Sequence, residues 1–223
     1  MFRNLLQFWK GKDFLQQVLI DFKGILNDTE DMFSLVCKKL IHNEEVPDLK
    51  NMVYSTDKKV NEVVKNIRKR VLEHLALQPC IDLHVSLLLI SVVKDAERIG
   101  DFSKNLYEID QLLDEPIDKD TFTKWFGNIE DEIKDLFQKT KKAFIESDKS
   151  EATQSWSFER EVVRKCDKLI EDFAKSDLTV NEAVCFTLMA RYFKRVAAHL
   201  TNIATSVILP ISDLDYYDES RIV

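Results

Sequence analysis

Apolar residues recur along most of the chain with the 3.6-residue period of an α-helix, in six long stretches: 13–42, 51–78, 83–114, 119–148, 151–175 and 180–209. The interruptions fall where local chemistry stops a helix: Pro47, the QPCID turn around Pro79, EPID around Pro116, Ser147 to Ser150, and SDLT before the last stretch. Asp82 stands where it would cap the third stretch, and Thr179 with Glu182 spells a T-x-x-E capping box for the sixth. Long amphipathic segments joined by short turns predict antiparallel neighbours in up-down bundles, an all-α fold.

Composition agrees and removes several functions. Four glycines and four prolines in 223 residues cannot punctuate a sandwich, barrel or doubly wound sheet. The glycines stand alone at Gly11, Gly24, Gly100 and Gly127, so neither a dinucleotide fingerprint nor a Walker loop can be written. The net charge is −7, and residues 1–115 carry 16 basic and 19 acidic groups, so neither half has a footprint for nucleic acid. Cys37, Cys80, Cys166 and Cys185 lie far apart without CxxC spacing and are expected to be reduced and mostly buried. Arg3 and Lys10 interrupt the opening MFRNLLQFWKGK too early for a signal peptide. Phe2, Leu5, Leu6 and Trp9 still form an apolar stripe beside basic residues, able to touch a membrane or a partner or to pack on its own domain. The acidic tail DLDYYDES is a second contact candidate. The longest uncharged run, Val196 to Ser212, is short and polar for a span and reads as a buried helix.

The chain repeats itself. KDAERIGDFSKNL, from Lys94 to Leu106, aligns without gaps with RYFKRVAAHLTNI, from Arg191 to Ile203, pairing Arg98 with Arg195, Gly100 with Ala197 and Asn105 with Asn202. Each copy closes a set of three helices, so the expected architecture is a tandem duplication of three-helix bundles, residues 1–115 and 116–223.

Candidate chemistry lies on an i, i+4 ridge of the third helix, where Glu97, Asp101 and Asn105 interrupt Val85, Leu89, Val93 and Ile109. Two carboxylates one turn apart repel unless a cation lies between them. The second helix offers Asp57 and Asn61 at the same spacing, so antiparallel packing would converge an oxygen donor set: Asp57, Asn61, Glu97, Asp101 and Asn105. Such donors suit Fe, Mn, Mg or Ca. Gly100, beside Asp101, suggests a close helix approach there. In the second half Lys194 replaces Glu97 and Ala198 replaces Asp101, so that ridge cannot hold the same metal. Two readings of Lys194 stay open: it supplies the positive charge instead, paired with Glu159, or the repeat is degenerate and Lys194 is exposed. A di-iron bundle would need E-x-x-H pairs, and none of the four histidines has a glutamate three residues before it. Catalysis is not expected.

The segment LALQPCIDLHVSLLLISVVKDAERIGDFSKNL is similar to the PhoU family of phosphate-uptake regulators, which carry a Q-x-P-x-x-D-L turn followed by an E-R-I-G-D-x-x-x-N helix. Glu97, Arg98, Ile99, Gly100, Asp101 and Asn105 match in the first half; Arg195, His199, Asn202 and Ile203 match in the second. The resemblance implies a cytoplasmic, non-enzymatic, all-helical regulator. It would repress phosphate uptake or starvation signalling through contacts with a phosphate ABC transporter and a sensor histidine kinase. The further associations it allows are peripheral contact with the membrane and a homodimer. It also implies metal binding through acidic motifs, carried here by Asp57, Glu97 and Asp101, but Asn61 replaces a second carboxylate and the second repeat has lost its acidic pair. One site is therefore the most expected. The competing reading is a helical adaptor with neither metal nor phosphate role.

Overall fold

The structure, a computed structural model, describes residues 13–78 and 81–215. Among them run seven α-helices: α1 (Asp13–Leu40), α2 (Leu49–Leu77), α3 (Leu83–Asp110), α4 (Lys119–Phe126), α5 (Ile129–Glu146), α6 (Lys149–Phe173) and α7 (Val180–Thr205), followed by a short 3-10 turn, Ile211–Asp213. The all-α expectation holds. The fourth stretch, expected as one helix, is two, because Gly127 takes a left-handed backbone (φ 60°) and ends α4 before Asn128 opens α5. The apolar period continues on both sides of the break, which is why periodicity alone spans it. The apolar stripe before Asp13, Cys80 and the tail beyond Asp215 lie outside the described residues.

Side-chain caps form at Asp118, Asp148 and Thr179, whereas Asp48, Asp82 and Asn128 stand at cap positions without a side-chain bond. Thr179 and Glu182 form the expected reciprocal box, the Thr179 side chain accepting from the Glu182 amide while the Glu182 carboxylate accepts from the Thr179 amide at 2.9 Å. Asp118 and Asp148 cap α4 and α6 one way only, their carboxylates accepting from the Thr121 amide and from the Ser150 and Glu151 amides. Asp82 occupies the cap position of α3 but is itself left-handed (φ 60°) and makes no side-chain bond into the first turn. Its carboxylate lies instead 3.3 Å from Nε2 of His74 on α2, tying the two ends of that turn together.

Helices α1, α2 and α3 pack on one another, as do α5, α6 and α7, and the two sets meet through α3 against α7 and α1 against α5. The duplication shows in the burial. In α3, Leu88, Leu89, Val92, Val93, Ala96, Ile99, Gly100, Ser103 and Leu106 are buried. Every residue of α7 that is 97 positions later, from Cys185 to Ile203, is buried as well. In α2, Val53, Val60, Val64, Ile67 and Val71 are buried, and α6 repeats that pattern at Ser155, Val162, Cys166, Leu169 and Phe173. One continuous core joins the two sets, filled across α1 and α5 by Phe22 against Phe144 and Phe33 against Phe137, with ring centroids 4.7 and 5.8 Å apart. Tilted and edge contacts of this kind add to the area each ring buries. Cys37, Cys166 and Cys185 are buried free thiols, and burial pushes Cys166 up to about 12, far from the thiolate range.

Gly100 faces α1, not the acidic ridge. A Cβ placed there would sit 3.5 Å from Met32 Cε and from Thr29 Cγ2, an ordinary contact. The glycine therefore marks the packing of α3 on α1 and does not mark the acidic side chains beside it.

The acidic ridge and the joint between the repeats

Helices α2 and α3 run antiparallel in a register set by two bonds, Tyr54 Oη to Glu108 at 3.0 Å and Lys104 Nζ to Asp57 at 3.0 Å. This brings Asp57 and Asp101 together as the sequence suggested, but around a side chain that pattern reading passed over. Lys104 Nζ lies 3.0 Å from Asp57 and 3.8 Å from Asp101, and Arg98 reaches the other oxygen of Asp101 at 2.9 Å. The result is a row of alternating charge, Asp57, Lys104, Asp101, Arg98. The side chains of Asp57, Lys104 and Asp101 keep only 15%, 21% and 25% of their exposure. Burial opposes the Lys104 charge, but the hydrogen bond to Asp57 and the charges of Asp57, Asp101 and Glu108 outweigh it and hold the ammonium above its ordinary range.

Glu97 and Asn105 lie one turn to either side of Asp101, and Asn61 lies one turn beyond Asp57; all three are half-buried. Among the described residues no three His, Cys, Asp or Glu side chains gather closely enough to hold a metal ion. The two carboxylates that converge do so on an ammonium. In this arrangement the donor set fits Lys104, not a metal, which would have to displace it. The signal was present in the sequence: Lys104 follows Asp101 by three residues and so shares its face.

In the second repeat Lys194 donates to both oxygens of Asp167, at 2.6 and 2.7 Å. The burial register of α2 and α6 makes Glu159 the counterpart of Asp57, as expected, but the partner of Lys194 is Asp167, two turns further along α6. Asp167 corresponds to Lys65 and Lys194 to Glu97. The two repeats therefore carry opposite charges at equivalent points of the groove, which accounts for Lys194 without reference to a metal.

The joint between repeats holds a second polar group. Asp95 of α3 is 1% exposed, and its Oδ1 lies 2.7 Å from Nδ1 of His199 and 3.5 Å from Nδ2 of Asn202, both on α7. His199 stacks on Phe102, its own counterpart in the first repeat, with centroids 5.6 Å apart. A second tie joins the turn after α1 to α5, where the carboxylate of Glu130 meets His42 Nε2 and is also held by Lys134 Nζ on its own helix. Sequence reading singled out His199 and Asn202 but passed over Asp95, whose exposed neighbour Lys94 masks the apolar surroundings supplied by α7.

Two three-helix sets with matching burial, packed through their third helices, define a duplicated helical-repeat protein. A PhoU domain model matches residues 22–109 and 128–207, one match on each set, and the chain belongs to the PhoU family. It is 27% identical over 203 residues to a protein of Thermotoga maritima named phosphate-specific transport system accessory protein PhoU homolog 1, covering 82% of this chain and 83% of that one. A Clostridium acetobutylicum homologue of the same description is 20% identical over 183 residues, 79% of this chain and 83% of that one. Among solved structures, PhoU of Pseudomonas aeruginosa superposes with a TM-score of 0.76 at 21% identity, covering 87% of this chain and 95% of that one. The phosphate transport system regulatory protein PhoU of Streptococcus pneumoniae gives 0.75 at 15%, covering 86% and 92%. These two share the fold. Among the described residues no helix is long and apolar enough to cross a membrane.

Proposed function

We propose that the protein is a non-enzymatic regulator of phosphate uptake and phosphate-starvation signalling, acting at the cytoplasmic face of the membrane by contact with a phosphate ABC transporter, a sensor histidine kinase, or both. The observation that carries this reading is the family match on both repeats, together with relatives named as accessory and regulatory proteins of phosphate transport. The surface is suited to contact rather than conversion, since the candidate site is a row of ion pairs and the described cysteines are protonated and buried. A metal at Asp57, Asn61, Glu97, Asp101 and Asn105 forms no step of this function, because Lys104 already neutralises the carboxylates that converge.

The test is phosphate uptake in phosphate-replete cells of the native host, with the gene deleted and then restored. Deletion is expected to raise uptake and starvation-gene output several-fold, with both returning on restoration. Unchanged uptake and output would favour a helical adaptor with no phosphate role.

A further inference from the structure

Helices α3 and α7 meet in a way that repeats itself. Asp95 Oδ1 lies 2.7 Å from His199 Nδ1, and Phe102 packs on Tyr192 and His199 with ring centroids 5.9 and 5.6 Å apart. The two helices are therefore antiparallel. Tyr192 and His199 are the repeat counterparts of Asp95 and Phe102, so an approximate two-fold axis crosses the joint between Arg98 and Arg195. That axis is normal to both helices and keeps matching flanks of α3 and α7 on the same side. One side is closed, since Gly100 faces α1 while α1 packs on α3, α5 on α7, and α1 on α5. The flank of α3 turned away from Gly100 carries Arg98 and, one turn earlier, Lys94; α7 presents Arg195 and Arg191 on the same side. All four are exposed.

These cations stand on a chain of net charge −7. Among the described residues Lys94, Arg191 and Arg195 make no ion pair, and Arg98 is tied only to Asp101. Toward the start of each helix the same flank turns aliphatic at equivalent positions, with Leu83 and Leu87 exposed on α3 and Val180 and Val184 exposed on α7. The face thus reads aliphatic, basic, basic, aliphatic across the axis. The two copies have otherwise drifted apart. Glu97 and Asp101 have become Lys194 and Ala198, and the thirteen aligned residues share only Arg98 with Arg195 and Asn105 with Asn202. Both shared residues lie on this flank, and Lys94 keeps its charge as Arg191. Cations retained at exposed positions, where packing does not require them, mark a surface in use.

We propose that this face is the docking surface for an acidic amphipathic helix of a partner protein. The inference rests on the reading of the protein as a regulator that acts by contact, and adds where the partner lands and what chemistry it carries. At about 1.5 Å per residue, Lys94 and Arg191 stand roughly 14 Å apart along the joint, the length of about two and a half helical turns. Carboxylates at i, i+4 and i+7 of the incoming helix meet the cations, and apolar residues beyond them meet the leucines and valines. The chain's own Asp215 already brings a carboxylate within range of the Lys94 and His199 charges. A bilayer or a nucleic acid spreads negative charge widely and would press on Glu97, Asp101 and Asp215 beside the cations; a single helix is narrow enough to avoid them.

Fluorescence anisotropy of the full chain tests this with a labelled amphipathic peptide bearing glutamates at i, i+4 and i+7 between leucine-bearing turns, beside a glutamine version of it. Wild type is expected to bind the glutamate peptide, less tightly at high salt, and the glutamine peptide at least about tenfold more weakly. Lys94→Glu with Arg191→Glu, and Arg98→Gln with Arg195→Gln, should each lower affinity at least about fivefold with helicity unchanged. Lys58→Glu with Arg68→Glu, at exposed cations of α2, should bind like wild type. No binding, equal binding of both peptides, or face variants that bind like wild type would overturn the proposal. So would anionic vesicles that bind in place of the peptide and are lost in the same variants. In phosphate-replete cells the Lys94→Glu, Arg191→Glu pair should raise uptake as deletion does. A deletion effect that this pair does not reproduce would overturn the docking face and leave the regulator reading standing.

Discussion

Two carboxylates on neighbouring helices, Asp57 and Asp101, face each other across the ammonium of Lys104. Sequence spacing revealed the carboxylates because i, i+4 geometry is local, but it could not show which cation lies between them, since that depends on the register of α2 against α3. Lys104→Met removes the cation and leaves like charges facing each other. Because all three side chains keep some solvent, the expected loss is about 1 to 2 kcal/mol, less than for a fully buried pair. The folded-state ammonium is held above its ordinary range. The stabilisation it gives is therefore complete below the free-lysine value of about 10.4 and is lost as pH rises through the higher folded value. The Tm difference between variant and wild type should thus be full at neutral pH and close as pH rises through the raised value of the folded ammonium. Manganese should raise the Tm of Lys104→Met and leave wild type unmoved. Equal stabilisation of both would mean that a metal displaces the lysine.

At the scale of the element, helix starts and stops were mostly legible, because caps and breakers act over three or four residues. The Thr179–Glu182 box formed as written, and α2, α3, α6 and α7 begin within about two residues of the pattern. Asp82 failed as a cap because its own backbone is left-handed, which turns its side chain toward His74. Gly127 and Gly100 look alike in the sequence and differ in the fold. Gly127→Ala places a Cβ on a backbone with φ 60° and 3.2 Å from Lys165 Nζ, and should cost about 1 to 3 kcal/mol. Gly100→Ala fills an ordinary contact in a regular helix and should be neutral or stabilise by up to about 1 kcal/mol. Paired denaturation curves check both, and a Gly100→Ala loss matching that of Gly127→Ala would contradict the packing of α3 on α1.

At the scale of the whole molecule, the duplication was legible from thirteen residues because the third helix of each repeat carries the same face to the same place. What pattern reading could not supply is how the two copies meet. Asp95, His199, Asn202 and Phe102 come from both repeats, and no local spacing joins positions about a hundred residues apart. The same limit hid the partner of Lys194, since neither Asp167 nor Glu159 is buried in α6 and only the packing of α6 on α7 chooses between them. The outcome is a chain whose charged groups on the ridge and at the joint are matched internally, which suits a protein that acts by presenting surfaces. The most direct measurement is affinity capture of the tagged full chain from phosphate-replete membranes, followed by identification of what co-purifies. Phosphate ABC transporter subunits or a sensor histidine kinase should be recovered; reproducible capture without any of these would contradict a regulatory role in phosphate uptake.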